Sequence, residues 1–208
     1  MSDWYSFWFI ITVTNRRTAF GAYVIVLQFN GYKKCCTQTG HDLIAGGLVV
    51  FDEVKYRNSY ERCAKIIKQY SSRVGIDMAE FFVRIVFCFI VGNSDMHLKN
   101  FSLIETAEAS GEYVLSPAYD LLPVNANMPS DQEQFALAMN GKKMNIRKGD
   151  FLKFADACGI ARQTAEKLIK SLVKRAPQWL EMCNESLLPN ELKDRLIKII
   201  TERAETIK

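Results

Sequence analysis

Three oxygen-bearing side chains stand out by type and spacing. Asp95 and Asn100 lie five residues apart in Gly92-Asn93-Ser94-Asp95-Met96-His97-Leu98-Lys99-Asn100, and Asp120 follows 25 residues after Asp95 in Ser116-Pro117-Ala118-Tyr119-Asp120-Leu121-Leu122-Pro123. Asp95 is a carboxylate able to take a hydroxyl proton, and Asn100 and Asp120 offer two hard oxygens able to hold magnesium. That is the inventory of phosphoryl transfer, a reaction that asks a protein mainly for alignment and for offsetting charge. Magnesium keeps several waters, so few protein ligands suffice. Neighbouring residues extend the candidate set: His97 could orient the loop, Lys99 could meet phosphate, and Asn93 could reach the cofactor. Each has a plainer reading. Asp95 and Asn93 suit the turn after a helix, His97 a structural histidine, and Lys99 a solvated one.

The Asp95 to Asn100 interval equals that of D-x-x-x-x-N, the catalytic loop of protein kinases. Such a loop needs an element to deliver it. Residues 81–91 (Phe81, Phe82, Val83, Ile85, Val86, Phe87, Phe89, Ile90) are apolar nearly all round, which predicts a central helix ending at Gly92. Asp77 and Glu80 have the spacing of a capping box and place its start at Asp77. Short strands at 101–104 and 113–116, joined by a polar turn, would bring the loop and Asp120 to one edge. Further short strands are expected at 134–139 and 144–146 about Gly141. Helices are expected at 60–70, 150–157, 162–176 and 191–207, the last with Leu192, Leu196, Ile199, Ile200 and Ile207 in one stripe.

The first quarter reads differently. Residues 7–13 and 22–29 are β-branched and aromatic runs, suited to two strands joined by a loop, and no clear periodicity follows from 30 to 47. The fold class expected is α+β, mainly helical, with residues 1–51 an atypical β-rich segment and 52–208 the catalytic lobe. The abrupt change near residue 51 suggests a truncated or foreign N-terminal part.

The composition, 49% hydrophobic and 24% charged over 208 residues, is that of a soluble globular protein. Residues 141–208 carry 15 Lys+Arg against 9 Asp+Glu, while the remainder is slightly acidic. A basic C-terminal third could face nucleic acid or an acidic partner, or could be a set of solvated helix faces. Residues 151–160 and 162–173 form a loose helix-turn-helix pattern with Arg162, Lys167 and Lys170 on the second helix, so DNA binding is a rival function. Six cysteines without a C-x-x-C pair point to reduced thiols and a cytoplasmic setting. The apolar N-terminus is short for a membrane span, and Arg84 interrupts 81–91.

The segments Gly92–Ser102 and Leu115–Leu122 resemble the paired signatures of HipA-like serine/threonine kinases, the toxins of bacterial type II toxin–antitoxin systems. Lys55-Tyr56-Arg57-Asn58-Ser59-Tyr60-Glu61 and the helix at 81–91 resemble that family as well, and the likeness covers roughly residue 52 onward, about three quarters of the chain. The resemblance implies a kinase-like C-terminal lobe using ATP and Mg2+. Asp95 would be the catalytic base, Asn100 and Asp120 metal ligands, and Asp120 the counterpart of the D-F-G aspartate with Leu-Leu in place of Phe-Gly. It also implies a protein substrate with a serine or threonine hydroxyl, an aminoacyl-tRNA synthetase being one target class. A helix-turn-helix antitoxin would be a partner, through which DNA is reached indirectly. The chain departs from the pattern in residues 1–51, where neither a phosphate-covering loop nor a strand lysine is recognisable; Lys33 and Lys34 follow a strand-like run, but no G-x-G-x-x-G or P-loop occurs anywhere. An inactive lobe remnant or interaction module is the alternative.

Overall fold

Residues 74–91 hold too many apolar side chains to leave a face to water, and they form the helix around which the others gather. The computed structural model describes residues 9–12, 26–29, 56, 58–107 and 110–208. Near the start, β1 (Phe9–Thr12) and β2 (Val26–Phe29) pair antiparallel, with Phe9 opposite Phe29 and Thr12 opposite Val26. This is the strand pair expected from the two apolar runs. The reading of the rest of residues 1–51 lies outside the described residues.

The main body begins with α1 (Tyr60–Tyr70), whose N-cap Ser59 accepts from the Arg62 amide through its side chain. Then comes α2 (Val74–Val91), with Met78, Phe81, Phe82 and every residue from Arg84 to Val91 buried. It packs against α1, α5 (Arg162–Glu185) and α6 (Asn190–Ile207), while α4 (Lys148–Ala157) packs on α1 and α5. Rings meet at the centre of this arrangement. Tyr60 stands edge-on to Phe135 at 5.1 Å between centroids, Phe81 to Phe101 at 5.1 Å, and Phe89 to Phe151 at 5.3 Å. Such pairs add about 0.5–1.5 kcal/mol beyond the area they bury. The hairpin of β3 (Leu103–Glu105) and β4 (Tyr113–Leu115) forms as expected, in register Leu103 to Leu115.

Three local expectations are corrected. The capping box at Asp77 and Glu80 does not form, because α2 starts earlier, at Val74. Asp77 is fully buried in its first turn and accepts from Ser71 Oγ (2.7 Å), Arg73 Nε (2.8 Å) and the Leu115 amide (2.7 Å). Charge-assisted bonds at the positive end of a helix favour this buried anchor over a solvated cap. Second, α5 runs through Pro177 to Glu185 instead of stopping at Ala176. Proline inside a helix costs about 3 kcal/mol, but stopping there would forfeit burial of Trp179 and Cys183. These continue the stripe Ala165, Ile169, Leu172 and Ala176. Third, residues 134–139 make only isolated bridges, at Ala138 and Met139, and residues 144–146 make none. Asn140 and Gly141 do form a two-residue turn with φ of 51° and 77°, closed by Met139 N–H to Lys142 C=O at 2.8 Å. The ladder goes no further, since Ala138 spends its C=O on the Tyr60 amide (3.0 Å) and its N–H on Asn58 C=O (3.3 Å).

Among the described cysteines, Cys63, Cys88, Cys158 and Cys183 are free and buried. The pattern that read as helix-turn-helix is here α4 and α5 packed on each other, with the apolar stripe of α5 turned into the core. No helix among the described residues is long and apolar enough to cross a membrane.

Candidate active site

The last turn of α2 sets the geometry. Gly92 takes φ 79°, and the Asn93 amide bonds back to Cys88 C=O at 2.9 Å, which reverses the chain out of the helix. Any side chain here would be strained by that φ and would place its Cβ 3.1 Å from Ile199 Cγ2. The loop then crosses to a 3-10 turn at Leu98–Asn100. Within it the His97 amide donates to Asn100 Oδ1 at 2.9 Å, and the Asn100 amide donates to His97 C=O at 3.0 Å.

Asp120 reaches the loop from the other strand. Asn100 Nδ2 donates to Asp120 Oδ2 at 2.9 Å, so the two expected metal ligands meet side chain to side chain. Asp120 is exposed and sits in the left-handed region at φ 56°. For a non-glycine residue that is an uncommon conformation, held only where the surroundings impose it. The imposing contacts are specific. Tyr119 Oη donates to Lys99 C=O at 2.6 Å, and Asn93 Nδ2 donates to Asp120 C=O at 3.3 Å. From α2, Arg84 Nη2 donates to Ser116 C=O at 2.7 Å and to Glu80 Oε1 at 2.8 Å, while Asp77 holds the Leu115 amide. These bonds peg the end of β4, from which 117–120 departs.

Asp95 is half-buried at the mouth of the loop. Its amide donates to Asn93 Oδ1 at 3.2 Å, and its Oδ1 accepts from Tyr56 Oη at 2.7 Å. The Tyr56 ring stands edge-on to His97, 5.3 Å between centroids. The structure thus gathers Asn93, Asp95, His97, Asn100 and Asp120 into one network. Asn93 is buried, its amide spent within the network, and Lys99 enters it through its carbonyl.

Behind the loop stands a set of residues that the sequence reading did not single out. Ser94 Oγ donates to Asp131 Oδ2 at 2.6 Å. Asn125, in the short helix α3 (Val124–Asn127), donates from Nδ2 to Ser94 Oγ at 3.2 Å and to the carbonyls of Asp131 and Glu133, each at 3.1 Å. Its own amide donates to Gly92 C=O at 3.0 Å. Arg203 of α6 donates from Nη2 to Asn125 Oδ1 at 2.7 Å and from Nη1 to Phe89 C=O at 2.8 Å. Burial lowers the Arg203 pKa to about 10 against the opposing pull of Asp131 and Glu202, so the guanidinium stays charged at neutral pH. Arg203 stands beside the buried stripe Leu192, Leu196, Ile200, Ala204 and Ile207, a charged residue at the border of an apolar face.

Among the described residues no group of three or more His, Cys, Asp or Glu could hold a metal alone. Asn100 and Asp120 nevertheless offer oxygens of the hard type that magnesium takes, with waters and phosphate completing its shell. The donor set fits a magnesium nucleotide better than a resident metal.

A helical lobe delivering such a loop and such an aspartate to one edge is kinase-like. The family of HipA-like C-terminal domains matches residues 28–180, and the chain belongs to it. A candidate kinase of Haemophilus influenzae is 26% identical over 161 residues, 70% of this chain and 46% of that protein. The candidate kinase Y4dM of Sinorhizobium fredii is 36% identical over 124 residues, 58% of this chain and 28% of that protein. In fold the chain is similar to the HipA toxin of Shewanella oneidensis MR-1, solved with HipB and operator DNA. The TM-score is 0.54 at 20% identity, covering 77% of this chain and 38% of that one. The chain therefore spans less than half the length of these relatives.

Proposed function

We propose that this chain carries the catalytic lobe of an ATP-dependent serine/threonine protein kinase, the toxin of a toxin–antitoxin pair. The observation that carries the reading is the 2.9 Å contact of Asn100 with Asp120 on the loop that also presents Asp95. Bound Mg-ATP would supply the transferable γ-phosphoryl group and offset its charge. Asn100 and Asp120 would hold the metal through their side-chain oxygens. Asp95, whose Oδ1 accepts from Tyr56 Oη, would accept the proton of the incoming serine or threonine hydroxyl. Asn93 ties the base to the Asp120 backbone, His97 and Asn100 fix the turn between them, and Lys99 would meet the phosphate.

The partners follow from the same reading. The substrate would be a protein hydroxyl, an aminoacyl-tRNA synthetase being one class of target. A helix-turn-helix antitoxin would neutralise the toxin and bring it to DNA, as the names HipB and operator DNA suggest for the Shewanella oneidensis complex. The test is transfer of γ-labelled phosphate from Mg-ATP into cytosolic proteins by the full chain and by Asp95→Asn. Loss of a general base lowers kcat by about 10²- to 10⁴-fold, and the melting temperature should stay within about 2 °C. Transfer by Asp95→Asn at the full rate would sink the assignment.

A further inference from the structure

The segment bearing Asp95 is tied to a helix that lies beyond the residues matched to the family, 28–180. Arg203 on α6 spans two structures at once. One arm holds Phe89 C=O in the last turn of α2, where the negative end of the helix favours a cation. The other arm holds Asn125 Oδ1, and Asn125 in turn holds Ser94 Oγ, one residue before Asp95. The guanidinium also lies over the Phe89 ring, 5.3 Å from its centroid, a cation–π contact. Helix end and loop start are therefore clamped by one rigid fork whose two N–H groups diverge to different acceptors. A lysine keeps the charge but cannot reproduce that fork.

We propose that Arg203 is a positioning residue for the candidate base. It sets where the loop leaves α2, and through Asn125 and Ser94 it fixes the aim of Asp95. The proposal rests on Asp95 being the base, and its test separates the two. In the full chain, Arg203→Lys should raise amide hydrogen exchange at residues 94–97 about tenfold while exchange at 81–88 stays unchanged. In the same protein kcat for phosphoryl transfer should fall about tenfold, with KM for Mg-ATP within twofold of the original. Lys198→Met, on the solvent side of α6, should move neither reading. Ser94→Ala breaks the last link with less disturbance and should reproduce both effects without adding to those of Arg203→Lys. Unchanged exchange at 94–97 in both variants would overturn the proposal. Protection lost equally along α2 and α6 would overturn it too, since that marks a merely structural role. A wild-type chain that transfers no phosphate counts against the kinase reading alone, because the exchange pattern still decides the positioning.

Discussion

On one side of the 93–100 loop stand Asp95, Asn100 and Asp120; on the other stand Ser94, Asn125 and Arg203. The first side opens to solvent through a half-buried Asp95 and an exposed Asp120 held at φ 56°. The second side is closed. Asn125 is buried and engages Ser94, Asp131, Glu133, Gly92 and Arg203 through its side chain and amide. A backbone in the left-handed region costs on the order of 1 kcal/mol, and it persists only when its surroundings over-determine it. The contrast sets an open side, where Tyr119, Asn93 and Arg84 hold a strained Asp120, against a closed side whose polar groups satisfy one another.

The largest effect expected from breaking the comparison is at the mouth. Asp120→Gly removes the proposed metal ligand but relieves the strained φ, so transfer should fall at least about 100-fold. Stability in urea should stay within about 0.5 kcal/mol of the original. A variant that unfolds would place structural weight on the open side and erase the distinction.

At the back the balance should invert. Asn125→Ala leaves the Arg203 charge and the Ser94 hydroxyl short of partners in a buried setting, at a cost of about 2–3 kcal/mol. Urea denaturation reads this directly, and a loss under about 0.5 kcal/mol would show that the closed side is no stiffer than the open one.

The smallest effect sharpens how dry the interior is. Burial pushes the thiols of Cys63, Cys88 and Cys158 up to about 12 and that of Cys183 to about 11, from 9.0. Folded thiols then stay neutral while unfolded ones ionise above pH 9. Their contribution to stability is complete below pH 9 and is lost as pH rises through the folded values. The urea midpoint should hold level from pH 7.5 to 8.5 and decline from pH 9 upward. Tyr60, also raised by burial, adds to that decline.

What the sequence revealed follows the range of its signals. The apolar run of α2, the 60–70 helix and the β3–β4 hairpin were legible because period and turn chemistry are local. So was the grouping of Asp95, Asn100 and Asp120 in one network. The bond from Tyr56 to Asp95 joins residues 39 apart, and that from Arg203 to Asn125 joins residues 78 apart. No periodicity records such contacts. Asp77 misled because its spacing to Glu80 is that of a cap, whereas its partners, Ser71, Arg73 and Leu115, become visible only once β4 is laid on α2. Pro177 misled because local propensity gave way to the burial of Trp179.

The central claim is that Asn100 and Asp120 form a metal–nucleotide site beside Asp95. Paramagnetic broadening of backbone amide resonances by Mn2+, with a non-hydrolysable ATP analogue present, tests it most directly. The account predicts broadening centred on Asn100 and Asp120, extending to Asp95, dependent on the nucleotide and abolished in Asp120→Gly. Broadening that is centred elsewhere, or that survives in Asp120→Gly, would contradict it.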